Sequence, residues 1–234
     1  SWSAGGVRAK TVDLEILKLW KKNGCESVIC GIESGSPTML EVMEKKITLE
    51  KNIETLKNLY EAKLSTIVQL VIGMPGETDQ TIDETIDFIL KTMKYYPDPF
   101  RKKITYLCSV NYAQSLPGTP LYEYAREHGF VGRTVDEEEK YLIDISDKDA
   151  YDSDHFINFT QQPLLKVLSW RYKFTWKVWK QHAELNLKIK LSKPTIFLGI
   201  LAMFFNKIFK IKIKSTLEEE LNKFKEKESN ASDF

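Results

Sequence analysis

Cysteine, histidine and net charge are all scarce in this chain of 234 residues. Its three cysteines, Cys25, Cys30 and Cys108, are too few for a disulfide framework and lack the spacing of a zinc site, so a reducing, cytoplasmic compartment is expected. The three histidines lie far apart and match no metal-ligand pattern, so no metal site is predicted. A formal net charge of +1 gives no overall positive field, which argues against nucleic acid as a partner.

Long apolar runs and a secretory signal are also missing. Residues 1–11 contain no apolar core and no initiator Met, so the chain is expected to be a piece of a longer protein. The apolar run at residues 195–205 has only eleven residues, whereas a membrane-spanning helix needs about 20. A membrane-spanning protein is therefore not expected.

The first 130 residues repeat a strand followed by a helix. Buried strands are predicted at residues 27–32, 66–72 and about 103–111. Helical patterns are predicted at residues 12–23, from the first strand to about 62, at 78–94 and at 120–127. This order is typical of βαβ units, which form parallel sheets with right-handed crossovers. Three strands are too few for a closed barrel. Either a small open α/β layer or the later part of a larger barrel fits, and the second is favoured.

Unusual polar residues and glycines follow each predicted strand. They are Glu33 and Ser34 after the first strand, Gly73, Pro75 and Glu77 after the second, and Asn111 and Gln114 after the third. Carboxyl ends of parallel strands meet at one edge of the sheet, where α/β proteins bind ligands. We therefore expect a ligand site at this edge.

The segment GIESGS, residues 31–36, has two interpretations. Glu33 could accept bonds from ribose hydroxyls or an amino group, while Ser34, Gly35 and Ser36 offer backbone N–H groups to an anion. Alternatively, Ser34 or Ser36 caps the next helix and Glu33 makes a surface bond. The residues alone do not choose between the two.

The segments VIGMPGET, residues 71–78, and SLPGTP, residues 115–120, are weaker signals. The end of the second strand could pack a flat adenine ring, but an ordinary strand-to-helix turn is favoured, with Thr78 or Asp79 as the helix cap. Thr119 and Pro120 suit the start of a helix, so the later segment is mainly architectural.

Taken together and in order, these stretches resemble the later half of a radical S-adenosylmethionine enzyme. The resemblance covers residues 5 to about 130, through GVRAKTVDLEILKLWKKNGCESVICGIESGSPTMLEVMEKKIT, IVQLVIGMPGETDQTIDETIDF and LPGTPLYEYAREHG. It points in particular to the cobalamin-dependent group that includes anaerobic magnesium-protoporphyrin ester cyclase-like proteins.

The resemblance implies an α/β fold: the second half of a partial (β/α)6 barrel with about three parallel strands, its fourth to sixth. Arg8 would lie just past the third strand. Glu33 would approach the ribose or methionine part of S-adenosylmethionine, residues 71–73 would pack near its adenine, and Asn111 would lie beside it. The candidate cofactor-binding residues are Glu33, Ser34, Val71, Gly73 and Asn111.

One departure from the family is important: its cluster-binding CxxxCxxC motif is absent. We therefore expect this chain alone to be inactive. The resemblance implies that only a full-length parent holds the 4Fe–4S cluster, and that parent could also hold cobalamin. The predicted partners are the other half of the barrel, a cobalamin-binding domain and a small-molecule or lipid-like substrate. The alternatives are a non-catalytic half-barrel interaction module and a self-contained nucleotide-binding α/β domain.

The resemblance fades beyond residue 130. We predict a half-barrel at residues 1–132, an acidic exposed connector at 133–160, a helical region at 161–216 and a polar tail at 217–234. From residues 135 to 154 there are nine acidic and two basic residues, and from 164 to 214 twelve basic residues and one acidic one.

Two apolar patterns are predicted in the helical region. The first is a stripe on a long helix at residues 163–190, formed by Leu165, Leu168, Tyr172, Trp176 and Trp179. The second is an amphipathic helix at residues 195–214, which would either dock on another domain or make peripheral membrane contact.

Overall fold

A computed structural model describes residues 1–95, 108–146 and 156–186. Its strands are β1 (Trp2–Arg8), β2 (Cys25–Glu33), β3 (Ser65–Ile72) and β4 (Cys108–Tyr112). Its helices are α1 (Leu14–Lys22), α2 (Pro37–Val42), α3 (Leu49–Glu61), α4 (Asp79–Thr92), α5 (Pro120–Glu127), α6 (Val135–Ser146) and α7 (Leu164–Asn186). Short 3-10 turns follow β1 at Ala9–Thr11 and α4 at Met93–Tyr95.

The four strands form one parallel sheet in the order β1-β2-β3-β4. Each strand pairs with its neighbour in sequence, and helices lie between them, as the α/β prediction required. All described residues belong to one compact unit, Ser1–Lys188. The fold class predicted from the sequence is therefore confirmed.

The two faces of the sheet differ in burial. On one face Val28, Cys30, Val68 and Leu70 are fully buried and pack against apolar residues of α1, α3, α4 and α7. Along β3 the residues between them, including Ile67 and Gln69, remain half-buried on the other face. We call this second face the open face.

The sequence analysis did not identify β1. Its residues are mostly exposed and include two adjacent glycines, Gly5 and Gly6, so it lacks the apolar run of a buried strand. The placement of Arg8 just past a strand, which the resemblance implied, agrees with the end of β1 at Arg8. The described sheet thus has four strands, not three.

Other boundaries agree more closely. Thr78 caps α4 through a capping box with Thr81, and Thr119 caps α5 with Pro120 in its first turn. The single helical stretch predicted up to residue 62 is instead two helices. It is broken at residues 43–48, where Glu44 and Lys46 have φ values of 51° and 50°.

The sequence predicts that the stripe on α7 packs on the barrel or on a partner domain, but the fully buried residues of α7 are different ones. The residues that α7 buries are Val167, Trp170, Phe174 and Val178, which pack with α4 on the core. Leu165 is 81% exposed and Trp179 is 36% exposed, so the predicted stripe lies largely outside this contact. The helix carries apolar residues on two faces, and the sequence alone does not show which one packs.

Polar contacts reinforce the packing of α7 on α4. The indole N–H of Trp170 donates to Asp79 at 2.6 Å, and Lys166 pairs with the same carboxylate at 2.8 Å. Lys173 and Lys177 both reach Asp83, at 2.8 and 2.9 Å. These bonds fix the register of α7 along α4.

Residues 135–146 of the predicted acidic connector form α6, which has no fully buried residue. The described residues leave out residues 147–155 of that connector, residues 103–107 of the third predicted strand, the amphipathic segment 195–214 and the polar tail. Among the described helices, none is long and apolar enough to cross a bilayer.

Candidate functional site

The carboxyl ends of β2, β3 and β4 bring the candidate residues to one edge of the sheet. Glu33 ends β2, Val71 lies one residue before the end of β3, and Gly73 follows it. Val71 is the register partner of Asn111 on β4, and Glu33 is the partner of Leu70. Glu33, Val71 and Asn111 therefore lie on three adjacent strands, and Gly73 follows the middle one.

Glu33 adopts an unusual backbone conformation. Its φ is +67°, in the left-handed region that non-glycine residues seldom adopt, and the pairing of β2 with β3 shifts register between Gly31 and Glu33. Its carboxylate pairs with Lys45 at 3.1 Å, and the two side chains are 22% and 38% exposed. An accessible carboxylate and ammonium thus stand side by side at the carboxyl edge of the sheet.

Lys45 was not identified by the sequence analysis. It lies in the break between α2 and α3, in a run of charged residues that is typical of an ordinary solvated loop. Its position twelve residues after Glu33 gives no periodic signal, because the intervening helix and turn set the distance between the two side chains.

Ser34 is fully buried, and its hydroxyl lies 3.0 Å from that of Thr85 on α4. The N–H of Gly35 donates to the same Thr85 hydroxyl, and that of Ser36 donates to Ser34. The N–H of Ser34 itself donates to the Ile32 carbonyl. All three N–H groups of the proposed anion site thus bond within the protein, which favours an architectural role for this loop.

The space around Gly35 supports that role. A side chain at Gly35 would approach within 2.4 Å of the Phe88 Cβ and 2.8 Å of the Thr85 Cα. The loop after β2 therefore packs directly on α4. This contact fixes the direction in which the chain leaves Glu33.

Gly73 is held by a buried carboxylate. Its φ is +91°, and its N–H donates to Glu77, which is only 1% exposed. Burial raises the pKa of the Glu77 carboxyl to about 7, although the N–H groups of Gly73 and Met74 donate to it and act in the opposite direction. The turn after β3 is thus fixed from within.

Phe156 covers part of the same turn. A Cβ on Gly73 would lie 2.6 Å from the Phe156 ring, which also contacts Tyr112 with ring centroids 4.5 Å apart. One side of Gly73 is therefore occupied by protein, and the close approach that its missing side chain allows is used by Phe156.

Val71 and Asn111 remain half-buried on the open face. Val71 borders an apolar cluster that includes Tyr122 and Phe159, and Asn111 accepts a bond from Ser109 at 3.2 Å. Val71 on β3 thus offers an apolar side chain, and Asn111 beside it on β4 offers a polar one.

The open face carries further polar groups that the sequence analysis did not name. Gln69 stands between Gly31 on β2 and Ser109 on β4 in the sheet register. The signal was present: Ser65, Ile67, Gln69 and Val71 alternate with fully or nearly fully buried residues along β3. The sequence analysis treated that strand as uniformly apolar.

The described part of the chain contains no group of three metal-ligating side chains close enough to hold an ion. Cys25 and Cys30 are buried in β2. Burial raises the pKa of the Cys30 thiol to about 11 and that of Cys108 to about 12, which disfavours the thiolate that metals bind. The cysteines of this chain thus do not fit an iron–sulfur cluster.

Known proteins resemble the first part of this chain. Residues 2–89 match the model of the Radical SAM superfamily. An uncharacterized methyltransferase of Pyrococcus horikoshii is 33% identical over 130 residues, which are 53% of this chain and 25% of the relative. The anaerobic magnesium-protoporphyrin IX monomethyl ester cyclase of Cereibacter sphaeroides is 29% identical over 126 residues, 52% of this chain and 19% of the relative.

Among solved structures, the radical S-adenosylmethionine methyltransferase TsrM of Kitasatospora setae, with cobalamin and a [4Fe-4S] cluster bound, matches with a TM-score of 0.36. It is 23% identical, and the match covers 39% of this chain and 18% of that structure. The chain spans about a quarter or less of the length of these proteins.

Proposed function

Because residues 2–89 match the model of the Radical SAM superfamily, we propose that this chain supplies the cofactor-facing strands of a radical S-adenosylmethionine enzyme. In this proposal β2, β3 and β4 belong to the later half of a partial barrel, and the open face is turned toward its interior. The observation that carries the proposal is the convergence of Glu33, Lys45, Val71 and Asn111 at the carboxyl ends of parallel strands.

The charges at this edge suit the amino-acid end of S-adenosylmethionine. That end is a zwitterion, with an ammonium and a carboxylate on one carbon. Glu33 and Lys45 present the two opposite charges 3.1 Å apart on partly exposed side chains. Exchange of this ion pair for two bonds to a zwitterion leaves no charge without a partner, so the desolvation cost of binding is small.

The neighbouring strand ends suit the nucleoside end. Val71 offers an apolar surface for a flat adenine ring, and the Asn111 amide can bond to ring nitrogens or ribose hydroxyls. Gly73 contributes backbone, whereas Ser34 supports the site from behind through Thr85.

The whole enzyme would use the chemistry of its relatives. With a reduced 4Fe–4S cluster held elsewhere in that enzyme, bound S-adenosylmethionine would supply 5′-deoxyadenosyl-radical chemistry. Because the cysteines of this chain do not fit the cluster, we propose that the cluster, and cobalamin where it is used, are held by other parts of a longer protein. The relatives include a methyltransferase and a cyclase, so methyl transfer and oxidative cyclisation are the proposed reaction types.

The test is a titration of the chain with S-adenosylmethionine in which binding is monitored by NMR. Amide signals of residues 33, 71, 73 and 111 should shift together on titration. Changing Glu33 to Ala should weaken binding by roughly tenfold or more, because charge-assisted bonds contribute about 1.5–3 kcal/mol each.

A matched control is Glu61→Ala at the end of α3. Like Glu33, Glu61 forms an ion pair with a lysine, Lys57, but it is not one of the candidate site residues. This variant should leave the affinity unchanged. No saturable shift at millimolar cofactor, or shifts confined to other regions, would contradict the proposal and favour a half-barrel without cofactor binding.

A further inference from the structure

The carboxylate of Glu33 folds back over the strand that precedes it. A Cβ built on Gly31 would lie 2.8 Å from Glu33 Oε1 and 3.6 Å from its Cδ. Contacts below 3.0 Å are essentially never seen for real Cβ atoms, so the carboxylate occupies the space that any side chain at Gly31 would need. Residue 31 lies on the open face, where its register partner is Gln69.

From this geometry we infer that Gly31 is a positioning residue, which acts by leaving room for the Glu33 carboxylate above the open face. The effect of Gly31 on ligand binding rests on the proposed function, whereas its effect on the position of Glu33 does not. Glu33 has a φ of +67°, and this turn of the backbone directs its side chain back toward Gly31. The absence of a side chain at residue 31 is what lets the carboxylate lie there and reach Lys45.

Backbone conformation does not require glycine at this position. Within β2 only Glu33 has a positive φ, and the nearest other positive φ belongs to Gly24, so Gly31 has no left-handed backbone conformation to accommodate. The neighbouring atoms within 4 Å of the added Cβ belong only to the Glu33 side chain, which is free to rotate. An alanine at position 31 would therefore displace the carboxylate without disturbing the strand.

The experiment uses the Gly31→Ala variant of the full chain. Its melting temperature should equal or slightly exceed that of the unchanged protein, because alanine is less flexible than glycine in the unfolded state. Its affinity for S-adenosylmethionine should fall roughly tenfold, as expected for the loss of a charge-assisted bond. Gly5→Ala in β1 is the matched control, since a Cβ there meets nothing within 4 Å. It should have the same small effect on the melting temperature and leave the affinity unchanged.

A double-mutant cycle separates positioning from a general effect on the strand. In a Glu33→Ala background, where no carboxylate remains to be displaced, Gly31→Ala should cause no further loss of affinity. If the two losses add in full, Gly31 acts independently of Glu33, and the inference is wrong.

A second measurement needs no ligand. The NMR signals of the Lys45 side-chain methylene next to the ammonium should move in Gly31→Ala as they do in Glu33→Gln, because both changes break the ion pair. If they stay fixed in Gly31→Ala, the inference is overturned. If they move while the unchanged chain fails to bind S-adenosylmethionine, positioning by Gly31 stands and the proposed function fails.

Discussion

At the scale of single residues, the molecule places a carboxyl group where water does not reach. Glu77 is buried beneath the turn that follows β3, and its oxygen accepts the N–H of Gly73. Burial raises its pKa from an ordinary 4.5 to about 7, so the folded protein binds a proton on this side chain near neutrality. The same residue therefore links the shape of the site to pH.

We predict that stability falls as pH rises through this range. Between about pH 4.5 and 7 the unfolded chain has released the proton from residue 77 while the folded chain retains it, so deprotonation favours unfolding. The difference in pKa corresponds to roughly 3 kcal/mol, lost progressively across that window and constant above it. Urea unfolding of the chain at a series of pH values measures the loss.

Glu77→Gln supplies the comparison. Its amide oxygen can still accept the Gly73 N–H, but it does not titrate. The part of the pH dependence that belongs to Glu77 should vanish in this variant. An identical decline in both proteins between pH 4.5 and 7 would show that another group is responsible.

Single residues also show how far the sequence reached. It placed Glu33, Gly73 and Asn111 at one sheet edge, because strand ends can be located from apolar runs and glycines, and the family resemblance added Val71. It did not foresee that Ser34 bonds to Thr85, fifty-one residues later, or that Lys45 pairs with Glu33. Such partners depend on how the helices pack on the sheet, which the local sequence does not encode.

At the scale of elements, α7 is the helix for which the sequence did not identify the face that packs on the core. Its two sets of apolar residues have the same helical spacing, and burial distinguishes them only once α4 is in place. Trp170 is 1% exposed and Leu165 is 81% exposed, although both were available as packing residues. Polar partners decide between them: Lys166 and Trp170 both bond to Asp79 on α4.

We predict that Trp170→Ala lowers the free energy of unfolding by about 3–5 kcal/mol, through the lost burial of the ring and the cavity left behind. Leu165→Ala, on the face that the sequence favoured, should change it by less than about 0.5 kcal/mol. Denaturant unfolding followed by circular dichroism compares the two variants. Equal losses would mean that the predicted stripe also packs.

Strands β2 and β3 were easier to predict from the sequence than strand β1. β2 and β3 are short apolar runs bounded by glycine or polar residues, and their predicted bounds agree within two residues. β1 has only Ala4 and Val7 partly buried, so it carries almost no apolar signal. An exposed edge strand is held by backbone hydrogen bonds, which any sequence can make.

At the scale of the whole molecule, this chain carries the proposed cofactor-binding edge, but its three cysteines are not placed to hold an iron–sulfur cluster. We predict that anaerobic reconstitution with iron and sulfide yields no stoichiometric 4Fe–4S absorbance. Cys25 and Cys30 are buried in β2, and burial raises the pKa of the Cys30 and Cys108 thiols far above neutrality.

Replacing all three cysteines with serine is the control. A weak signal that persists in the triple variant is adventitious iron. A stoichiometric cluster in the unchanged chain that disappears in the triple variant would contradict this prediction.

The architecture as a whole was predictable because its signals are repeated. Each βα unit presents the same sequence of apolar run, glycine or polar turn, and amphipathic helix, so an error in one unit does not hide the pattern. The contents of the open face were not predictable in the same way. Gln69 is a single polar residue in an apolar strand, and only the register with β2 and β4 shows its neighbours.

The order of the strands has a consequence for how the protein is made. In the sheet β1, β2, β3 and β4 stand in the order in which they occur along the chain, so each strand pairs with the one synthesised immediately before it. A ribosome releases about 5–20 residues per second. Each new unit can therefore dock on a strand that has already emerged from the ribosome.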